Sequence, residues 1–338
     1  MTLLVPGEWA PHSAMWLGFP SHGELWEDNL EPAQREVAAL ARALAGPGDE
    51  RVRLLVCGEE AATTARALLQ GVAGIEIVYG EFGDIWLRDT GPLFVIDKGQ
   101  VKAAGFRFNG WGGKYVLEGD DTVAEQIAAA SGAPLTAHDF VLEGGAIDHG
   151  GFGAVLTTRQ CLLNRNRNPG WGEAEVEAAL AASLGVKRVL WLDQGLLNDH
   201  TDGHVDNLAR FVAPGVVACP IAFGRNDPNA HVYDETARQL SEMTDARGAP
   251  LQVMRIASPG FIEDEDGRPI PASHMNFVIA NGAVICPIYA EQAGAFAVEA
   301  LKSLFPERQV IGLPSRAILT GGGSFHCITQ HEPLFEPH

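Results

Sequence analysis

The stretch GGGSFHCIT at residues 321–329 combines an unusual backbone with a reactive residue type. Three consecutive glycines weaken any helix or strand, so they indicate either a close backbone approach or an unusual turn. Cys327 follows this run among polar neighbours, whereas the other four cysteines adjoin aliphatic residues, as small buried hydrophobic side chains do. Cys327 is therefore the candidate nucleophile, although its local context alone fits a buried structural cysteine equally well.

The segment DHTDGHVDN at residues 199–207 is the densest cluster of ionisable groups in the chain. His204 and Asp206 are two residues apart, so in a strand their side chains would point to the same face. A base and a carboxylate would then converge on one ligand, as general acid–base chemistry requires.

A metal site is the alternative interpretation of the same residue types. The candidate ligands are His200, His204, Asp206, His326 and Cys327. Zinc sites commonly use an HExxH pair on a helix or CxxC pairs, and the sequence contains neither pattern. A helix that would bring His200 and His204 onto one face is disfavoured by Gly203 and its polar neighbours. The sequence therefore predicts no metal.

Three shorter segments place polar groups next to apolar runs. In WLRDTGP at residues 86–92, an arginine and Asp89 precede a strand-like run. Taken alone, this charged pair is most simply a solvated turn. The segment FNGWGGKY at residues 108–115 interleaves aromatic residues with glycine, as an aromatic-walled loop or a packed turn would. In VLEGG at residues 141–145, Glu143 ends an apolar strand, where an exposed acid is the commoner case.

Composition and charge restrict the class of protein. The chain has 338 residues, of which 46% are hydrophobic and 20% are charged, as in ordinary globular proteins. No stretch reaches the roughly 18 unbroken apolar residues of a membrane helix. The excess of 43 acidic over 24 basic residues opposes a nucleic-acid or anionic-membrane partner and is compatible with a cationic substrate. The N-terminus lacks the features of a signal peptide, and five scattered cysteines form no disulfide framework, so we expect a cytoplasmic protein.

Helix and strand patterns alternate with a spacing of roughly fifty to sixty residues. An amphipathic helix is predicted over residues 31–45, where a Gly-Pro-Gly sequence ends it. Further helices are predicted to begin near Glu59, Asp121, Glu173, Asp234 and Glu291. This rhythm favours a quasi-repeating α/β fold of five units with one helix each, although any α/β protein alternates in this way. Residues 263–266 indicate a surface loop or hairpin tip, and no segment indicates an interdomain linker.

Together these segments make the chain resemble the agmatine deiminase and bacterial-type peptidylarginine deiminase family, within the guanidine-modifying pentein superfamily. Each motif is weak alone, but their order along nearly the whole chain is specific. The matching segments are residues 8–12 (EWAPH), 86–92, 108–115, 142–145, 162–169, 201–207 and 321–329. The resemblance implies a five-bladed α/β propeller of ββαβ units, in which residues 1–338 form a single catalytic domain.

The resemblance also implies a role for each matching residue. Cys327 would be the nucleophile, and His204 would be the general acid and base. The acids around the substrate guanidinium would be Asp89, Glu143 and Asp206. Further substrate contacts would come from Trp86, Trp111, Gly322 and Gly323. Carboxylates suit this task because a planar guanidinium offers five donors in a fixed fork.

The implied reaction needs no cofactor. The Cys327 thiolate would attack the guanidinium carbon, His204 would protonate the departing ammonia, and a covalent thiouronium would remain on the enzyme. His204 would then deprotonate water for hydrolysis, so that agmatine would give N-carbamoylputrescine. The expected partner is a small cationic guanidine, with no nucleic acid and no membrane, and a homodimer is possible.

Three residues depart from the family pattern and leave the substrate open. His200 replaces a glutamate that would lie near the distal amine of agmatine, Ser324 replaces an asparagine, and His274 replaces a tyrosine. Agmatine is the first hypothesis, with arginine or a peptidyl-arginine as the alternative. A guanidine-binding protein without turnover, and an amidinotransferase that uses an acceptor amine, are hypotheses from other classes.

Overall fold

Five separate small β-sheets build the protein, in agreement with the five units predicted from the sequence. The computed structural model describes residues 3–335. Their strands are β1 (His12–Gly18), β2 (Val52–Val56), β3 (Ile75–Tyr79), β4 (Leu93–Asp97), β5 (Gln100–Arg107), β6 (Leu135–Val141), β7 (Ile147–His149), β8 (Ala154–Thr158), β9 (Arg188–Leu192), β10 (Arg210–Ala213), β11 (Val216–Ile221), β12 (Gln252–Ala257), β13 (Val278–Ile279), β14 (Ala283–Ile288), β15 (Gln309–Pro314) and β16 (Thr329–Pro333).

Helices of two lengths connect these strands. The long helices are α2 (Leu30–Ala45), α3 (Gly58–Leu68), α6 (Val123–Ser131), α8 (Glu173–Leu184), α9 (Ala230–Glu242) and α10 (Glu291–Leu304). The one-turn helices are α1 (Gly23–Trp26), α4 (Leu87–Thr90), α5 (Gly110–Gly113), α7 (Arg159–Leu162) and α11 (Arg316–Leu319). Short 3-10 turns lie at Glu27–Asn29, Asp120–Thr122, Gly144–Ala146, Val205–Asn207 and His274–Asn276. The predicted starts of the long helices lie within about four residues of the observed ones.

Four of the five blades, each a sheet with its crossover helix, follow the ββαβ order. In the blade of β4, β5 and β6, the first two strands are antiparallel and β6 is parallel to β5. The hairpin between β4 and β5 turns at Lys98 and Gly99, which both have positive φ (51° and 82°), as the tight hairpin turn matching strand twist requires. A parallel third strand needs a long crossover, and α6 supplies it.

The remaining blade joins the two ends of the described chain. Its order is β16-β1-β2-β3, with β16 antiparallel to β1 and Leu17 opposite Thr329. The prediction of one helix per unit is wrong here, because this blade contains two. Helix α2 is the crossover between β1 and β2, and α3 leads to the additional strand β3. Since Cys327 lies two residues before β16, ring closure also fixes the position of the candidate nucleophile.

Each blade packs its helix against its sheet through aliphatic side chains. Helix α2 buries Val37, Leu40 and Leu44, whose spacing of three and four residues places them on one helix face. They pack into the same hydrophobic cluster as Leu54 in β2 and Ile328 beside the candidate nucleophile. Burying a side chain of this size contributes about 1.5–3 kcal/mol, so the nucleophile loop lies on a firmly packed blade.

The acidic loop at residues 263–266 forms the predicted hairpin tip. Glu263 pairs with Pro269 in an isolated antiparallel bridge, and the Asp264 amide donates to the Arg268 carbonyl at 2.9 Å. Among residues 3–335, no helix combines the length and apolar character needed to cross a membrane.

Candidate active site

The glycine run before Cys327 lies directly against an indole ring. A Cβ atom on Gly321 would lie 2.8 Å from the Trp86 ring, and a Cβ atom on Gly323 would lie 2.6 Å from it and 3.1 Å from the Cys327 sulfur. Gly322 has a φ of 107°, which side chains rarely adopt. The run therefore serves both functions expected from the sequence, a close backbone approach and an unusual turn.

Asn276 holds the candidate nucleophile from the neighbouring blade. Its Oδ1 accepts hydrogen bonds from the amides of His326 (2.9 Å) and Cys327 (3.2 Å). Its Nδ2 donates to the Cys327 sulfur at 3.2 Å and to Asn207 Oδ1 at 2.9 Å. Sequence reasoning missed Asn276 as a site residue, because the two side chains are 51 positions apart and no local pattern links them.

Asp89 lies in α4 and faces the cavity with both oxygens already oriented. Its Oδ1 accepts from the Gly145 amide and its Oδ2 accepts from the Trp111 indole nitrogen, each at 2.9 Å. Burial raises the pKa of Asp89 well above its usual value, and the charges of Asp206 and Glu143 raise it further. The site therefore contains a carboxyl group that is costly to ionise without a bound cation.

Asp206 lies on the 3-10 turn Val205–Asn207 and is fully buried. Its Oδ2 accepts from His326 Nδ1 at 2.8 Å and lies 3.6 Å from the Cys327 sulfur. Within residues 3–335 its Oδ1 has no hydrogen-bond partner. Burial acts to raise the pKa of Asp206, but the hydrogen bond from His326 and nearby positive charge lower it below its usual value. Asp206 is thus an ionised carboxylate whose Oδ2 lies beside the candidate nucleophile.

His204 precedes this turn, and the expectation that His204 and Asp206 share a strand is wrong. The backbone here forms a 3-10 turn, since Asn207 and Leu208 lead on to β10 only after the chain has reversed. The His204 ring is fully buried, with Nδ1 3.8 Å from Asp89 Oδ1. Burial lowers the pKa of His204 to about 3, so the imidazole is neutral and able to accept a proton near pH 7.

Gly145 packs closely where three of these groups meet. A Cβ atom at this position would lie 2.6 Å from His204 Nδ1, 2.8 Å from Asp89 Oδ1 and 3.2 Å from Asp206 Oδ2. Its φ is not in the left-handed region, so space rather than conformation requires glycine. The sequence motif contained Gly145, but only the structure shows that its missing side chain lets these three groups approach one another.

Glu143 lies behind His204 and does not line the cavity. Its Oε1 accepts from Arg167 Nε at 2.6 Å, and both side chains are completely buried. Ligand-type atoms of Glu143, Cys161 and His204 lie within 4.8 Å of one another. They suit a metal poorly, because Arg167 already neutralises Glu143, and burial raises the pKa of the Cys161 thiol well above its usual value.

Trp111 forms one wall of the cavity from an unusual backbone turn. All four residues of α5 have positive φ, between 53° and 82°. Three of the four are glycines, which adopt this left-handed conformation easily, whereas Trp111 does so at a cost of about 1–2 kcal/mol. Strain of this kind is typical of functional sites, and here it directs the indole nitrogen onto Asp89.

These groups enclose a cavity of about 330 Å³. The inner part of the cavity is formed by Asp89 and Cys327. We call these two residues, together with His204 beside Asp89 and Asp206 beside Cys327, the reacting end of the cavity. Its outer part, the mouth, is formed by Leu25, Tyr115 and His200. The walls between them include Trp26, Asp84, Trp86, Trp111, Gly321, Gly322 and Gly323.

Only one of the three departures from the family pattern reaches the cavity. His200 lies at the mouth, where its Nδ1 is 3.1 Å from the Tyr115 hydroxyl. His274 is buried against Tyr289 and its Nδ1 lies 2.7 Å from the Ala257 carbonyl. Ser324 is buried and hydrogen-bonds a neighbouring serine. The departure that bears on the substrate tail is therefore His200.

Fold and site together define a class of protein, an α/β propeller of five blades that presents a buried cysteine to paired carboxyl groups and a histidine. The chain belongs to the Porphyromonas-type peptidyl-arginine deiminase family, whose model matches residues 4–333. It is similar to the agmatine deiminase of Stutzerimonas stutzeri, with 39% identity over 97% of this chain and 95% of the relative.

Solved structures give the same result. The chain is similar to the agmatine deiminase of Enterococcus faecalis, with a TM-score of 0.91 and 33% identity, covering 98% of this chain and 96% of that one. An agmatine deiminase of C. jejuni, a cysteine-to-serine variant with substrate bound, gives a TM-score of 0.89 and 27% identity, covering 99% and 97%. The family resemblance and the five-bladed pentein fold predicted from the sequence are confirmed.

Proposed function

We propose that the chain is an agmatine deiminase, a hydrolase that acts on a carbon–nitrogen bond of a linear amidine. The observation that carries this proposal is the convergence of Asp89, Asp206 and His204 around Gly145, with Cys327 beside Asp206. Full-length similarity to relatives named agmatine deiminase supports the same activity. The products would be N-carbamoylputrescine and ammonia.

A guanidinium cation fits the electrostatics of the reacting end. Asp206 supplies a carboxylate beside the Cys327 sulfur whose pKa is lowered, and Asp89 supplies a carboxyl group that burial makes costly to ionise. A planar cation with several donors satisfies both acids at once, which one ammonium group does less well. The indoles of Trp86 and Trp111 enclose the alkyl chain, while Gly322 and Gly323 let the backbone approach it.

The same cation activates the nucleophile. Burial raises the pKa of the Cys327 thiol well above its usual value, and the charges of Asp206 and Asp89 raise it further. A bound guanidinium opposes both effects, so the thiolate forms in the complex rather than in the free enzyme. Asn276 Nδ2, 3.2 Å from the sulfur, stabilises the thiolate as a hydrogen-bond donor.

The first half of the reaction releases ammonia. The Cys327 sulfur attacks the guanidinium carbon and forms a C–S bond, and the thiol proton passes to neutral His204. His204 then returns this proton to the departing nitrogen as the C–N bond breaks, and a covalent thiouronium remains. Glu143 stabilises the transient imidazolium from behind, since its Oε2 is buried without a partner in the described chain and lies near the ring.

The second half consumes water. Neutral His204 removes a proton from a water molecule, and the resulting hydroxide adds to the thiouronium carbon. The C–S bond breaks, and the hydroxyl proton leaves to solvent as the urea carbonyl forms. The proton held by His204 returns to the Cys327 sulfur, and the ureido product diffuses out. No metal or redox group enters these steps, because the cationic carbon is itself the electrophile.

Ammonia release tests this proposal. We expect rapid turnover of agmatine, slower turnover of arginine, and little turnover of an arginyl peptide. No release from agmatine would reject the leading substrate, and binding of all three without release would favour a guanidine-binding protein. Arginine is the second candidate because His200, rather than an acid, occupies the mouth.

We also infer that residues 1–338 act as one catalytic unit in the cytoplasm, as a homodimer. Pairing of β16 with β1 supports a single unit, because the two chain ends complete one blade. Five free cysteines suit a reducing compartment. Symmetric dimers are the commonest soluble oligomers, and sedimentation equilibrium at two protein concentrations tests this assembly. A purely monomeric mass would contradict it.

A further inference from the structure

The motif EWAPH at residues 8–12 has no role in the reaction described so far. Its first residue, Glu8, nevertheless lies one side chain away from Asp206 at the reacting end. The His326 ring is enclosed between two carboxylates. Its Nδ1 lies 2.8 Å from Asp206 Oδ2, and its Nε2 lies 2.9 Å from Glu8 Oε2. The three residues are between 0% and 7% exposed, so water does not separate them.

This geometry restricts the protons on the ring. An ionised carboxylate only accepts hydrogen bonds, and a neutral imidazole donates from one nitrogen alone. With a carboxylate at each nitrogen, a neutral ring would direct one nitrogen lone pair at an oxygen lone pair. Two good hydrogen bonds therefore require either two protons on the ring or a proton on one of the acids.

The surrounding charges favour ionised acids. Arg210 Nη2 donates to Glu8 Oε2 at 2.8 Å, and Arg88 Nη2 lies 3.6 Å from the same oxygen. Burial acts to raise the pKa of Glu8, but Arg210, His326 and Arg88 together lower it well below its usual value. The pKa of Asp206 is lowered as well, against the effect of burial. The remaining place for the extra proton is the imidazole.

We propose that His326 is a doubly protonated imidazolium which, anchored by Glu8, positions Asp206 for the substrate. By holding Oδ2, the ring fixes the carboxylate of Asp206 beside the nucleophile, where Oδ2 lies 3.6 Å from the Cys327 sulfur. Its charge also offsets one carboxylate beside the adjacent Cys327. This inference rests on the proposed function only in assigning the guanidinium to Asp206; the protonation state itself does not depend on any activity.

Ring-nitrogen NMR on the wild-type chain with ¹⁵N-labelled histidine tests the protonation state directly. Signals of His326 are assigned by their loss in His326→Gln. At about pH 8, where an unperturbed histidine is neutral, we expect both ring nitrogens of His326 to carry protons. A ring with a single proton at that pH would overturn the proposal.

Glu8→Gln tests the positioning role from the side away from the substrate. Loss of a charge-assisted hydrogen bond should lower kcat/KM about 10- to 100-fold. In the same variant, the His326 ring should lose its second proton and carry only one at about pH 8. Unchanged kcat/KM together with an unchanged ring would overturn the proposal.

Asp148→Asn is the matched control. Asp148 belongs to the same buried charge cluster, where it accepts from Arg210 Nε at 2.5 Å and from the Phe211 amide at 2.7 Å, but it does not contact His326. We expect it to keep both ring protons and most of the activity. An equal loss of kcat/KM in both variants would overturn the positioning role, since general disruption of the cluster would then explain both.

These measurements separate this inference from the proposed function. If the wild type hydrolysed no guanidine, the proposed function would fail, and the NMR signals would still decide the state of His326. If His326 were neutral in a fully active enzyme, only the present inference would fail.

Discussion

At the reacting end of the cavity, Cys327 is 6% exposed and both His204 and Asp206 are 0% exposed, whereas Tyr115 at the mouth is 46% exposed. The reacting end is held by contacts between distant segments, such as Asn276 with Cys327. The mouth is formed by side chains with few partners. Changes at the reacting end should therefore abolish the reaction, while changes at the mouth should redirect it at little cost in stability.

The largest expected effect comes from the nucleophile. Cys327→Ser should lower kcat for agmatine by at least about 10⁴-fold, because a serine hydroxyl is far less acidic than a thiol. Cys57→Ser is the control, since this half-buried cysteine lies outside the cavity, and its turnover should be normal. Steady-state ammonia release measures both, and substantial turnover by Cys327→Ser would remove the assignment.

Crowding the reacting end at Gly145 should have the next largest effect. The Cβ atom of Gly145→Ala would lie 2.6 Å from His204 Nδ1 and 2.8 Å from Asp89 Oδ1, so both side chains must move. A displacement of about 1 Å costs on the order of 100-fold in rate, so kcat/KM should fall by at least that factor.

Gly23→Ala is the matched control for this substitution. A Cβ atom at Gly23 makes only an ordinary contact at 3.7 Å with Leu30, and Gly23 is the first residue of α1. Its kcat/KM should be unchanged, with urea unfolding confirming that both variants fold. Normal kinetics in Gly145→Ala would show that the reaction does not depend on the close packing of His204 and Asp89 around Gly145.

The sequence predicted the reacting end better than it explained how that end is held. Helix periodicity and glycine stops located the long helices, because those signals are local. The family motifs included Asp89, His204 and Cys327, but the contacts of Asn276 with Cys327 and of Glu8 with His326 join residues far apart in the chain. No local pattern encodes such contacts.

Two local predictions failed for physical reasons. Residues 204–206 do not alternate as in a strand, because the chain turns there in a 3-10 turn. The helix count per blade failed at the closing blade, because α3 there leads to an additional strand, β3, parallel to β2. Periodicity identifies an element type but not its partner across the fold.

Burial of His204 should also be visible in the stability of the protein. Its folded pKa is about 3, against about 6.5 in the unfolded chain. Between these values the unfolded state binds a proton that the folded state does not, so stability falls as pH falls through this window. At about pH 5 this effect lowers the free energy of unfolding by about 2 kcal/mol.

Urea unfolding at about pH 7 and about pH 5 measures this cost. Between the two pH values, the free energy of unfolding of His204→Asn should fall by about 2 kcal/mol less than that of the wild type. His200→Asn is the control, because the ring at the mouth is exposed and its replacement should leave the wild-type pH response. Identical responses of His204→Asn and the wild type would show that His204 is not desolvated.

The smallest expected effect lies at the mouth. His200→Glu places an acid beside Tyr115, where the distal amine of agmatine would emerge from the cavity. An exposed ion pair contributes about 0.2–1 kcal/mol, so KM for agmatine should fall by up to about fivefold with kcat unchanged. Arginine, which carries a carboxylate at the same end, should not benefit.

The neutral variant His200→Gln separates charge from shape at this position. If the charge at residue 200 determines which substrate tail is preferred, His200→Gln should leave the ratio of kcat/KM for agmatine to kcat/KM for arginine near the wild-type value. Added salt should then reduce the gain of the Glu variant. Equal gains from Glu and Gln would instead assign the effect to loss of the ring that stacks on Tyr115 at 6.0 Å. Either result would leave kcat unchanged, because the mouth does not contact the reacting carbon.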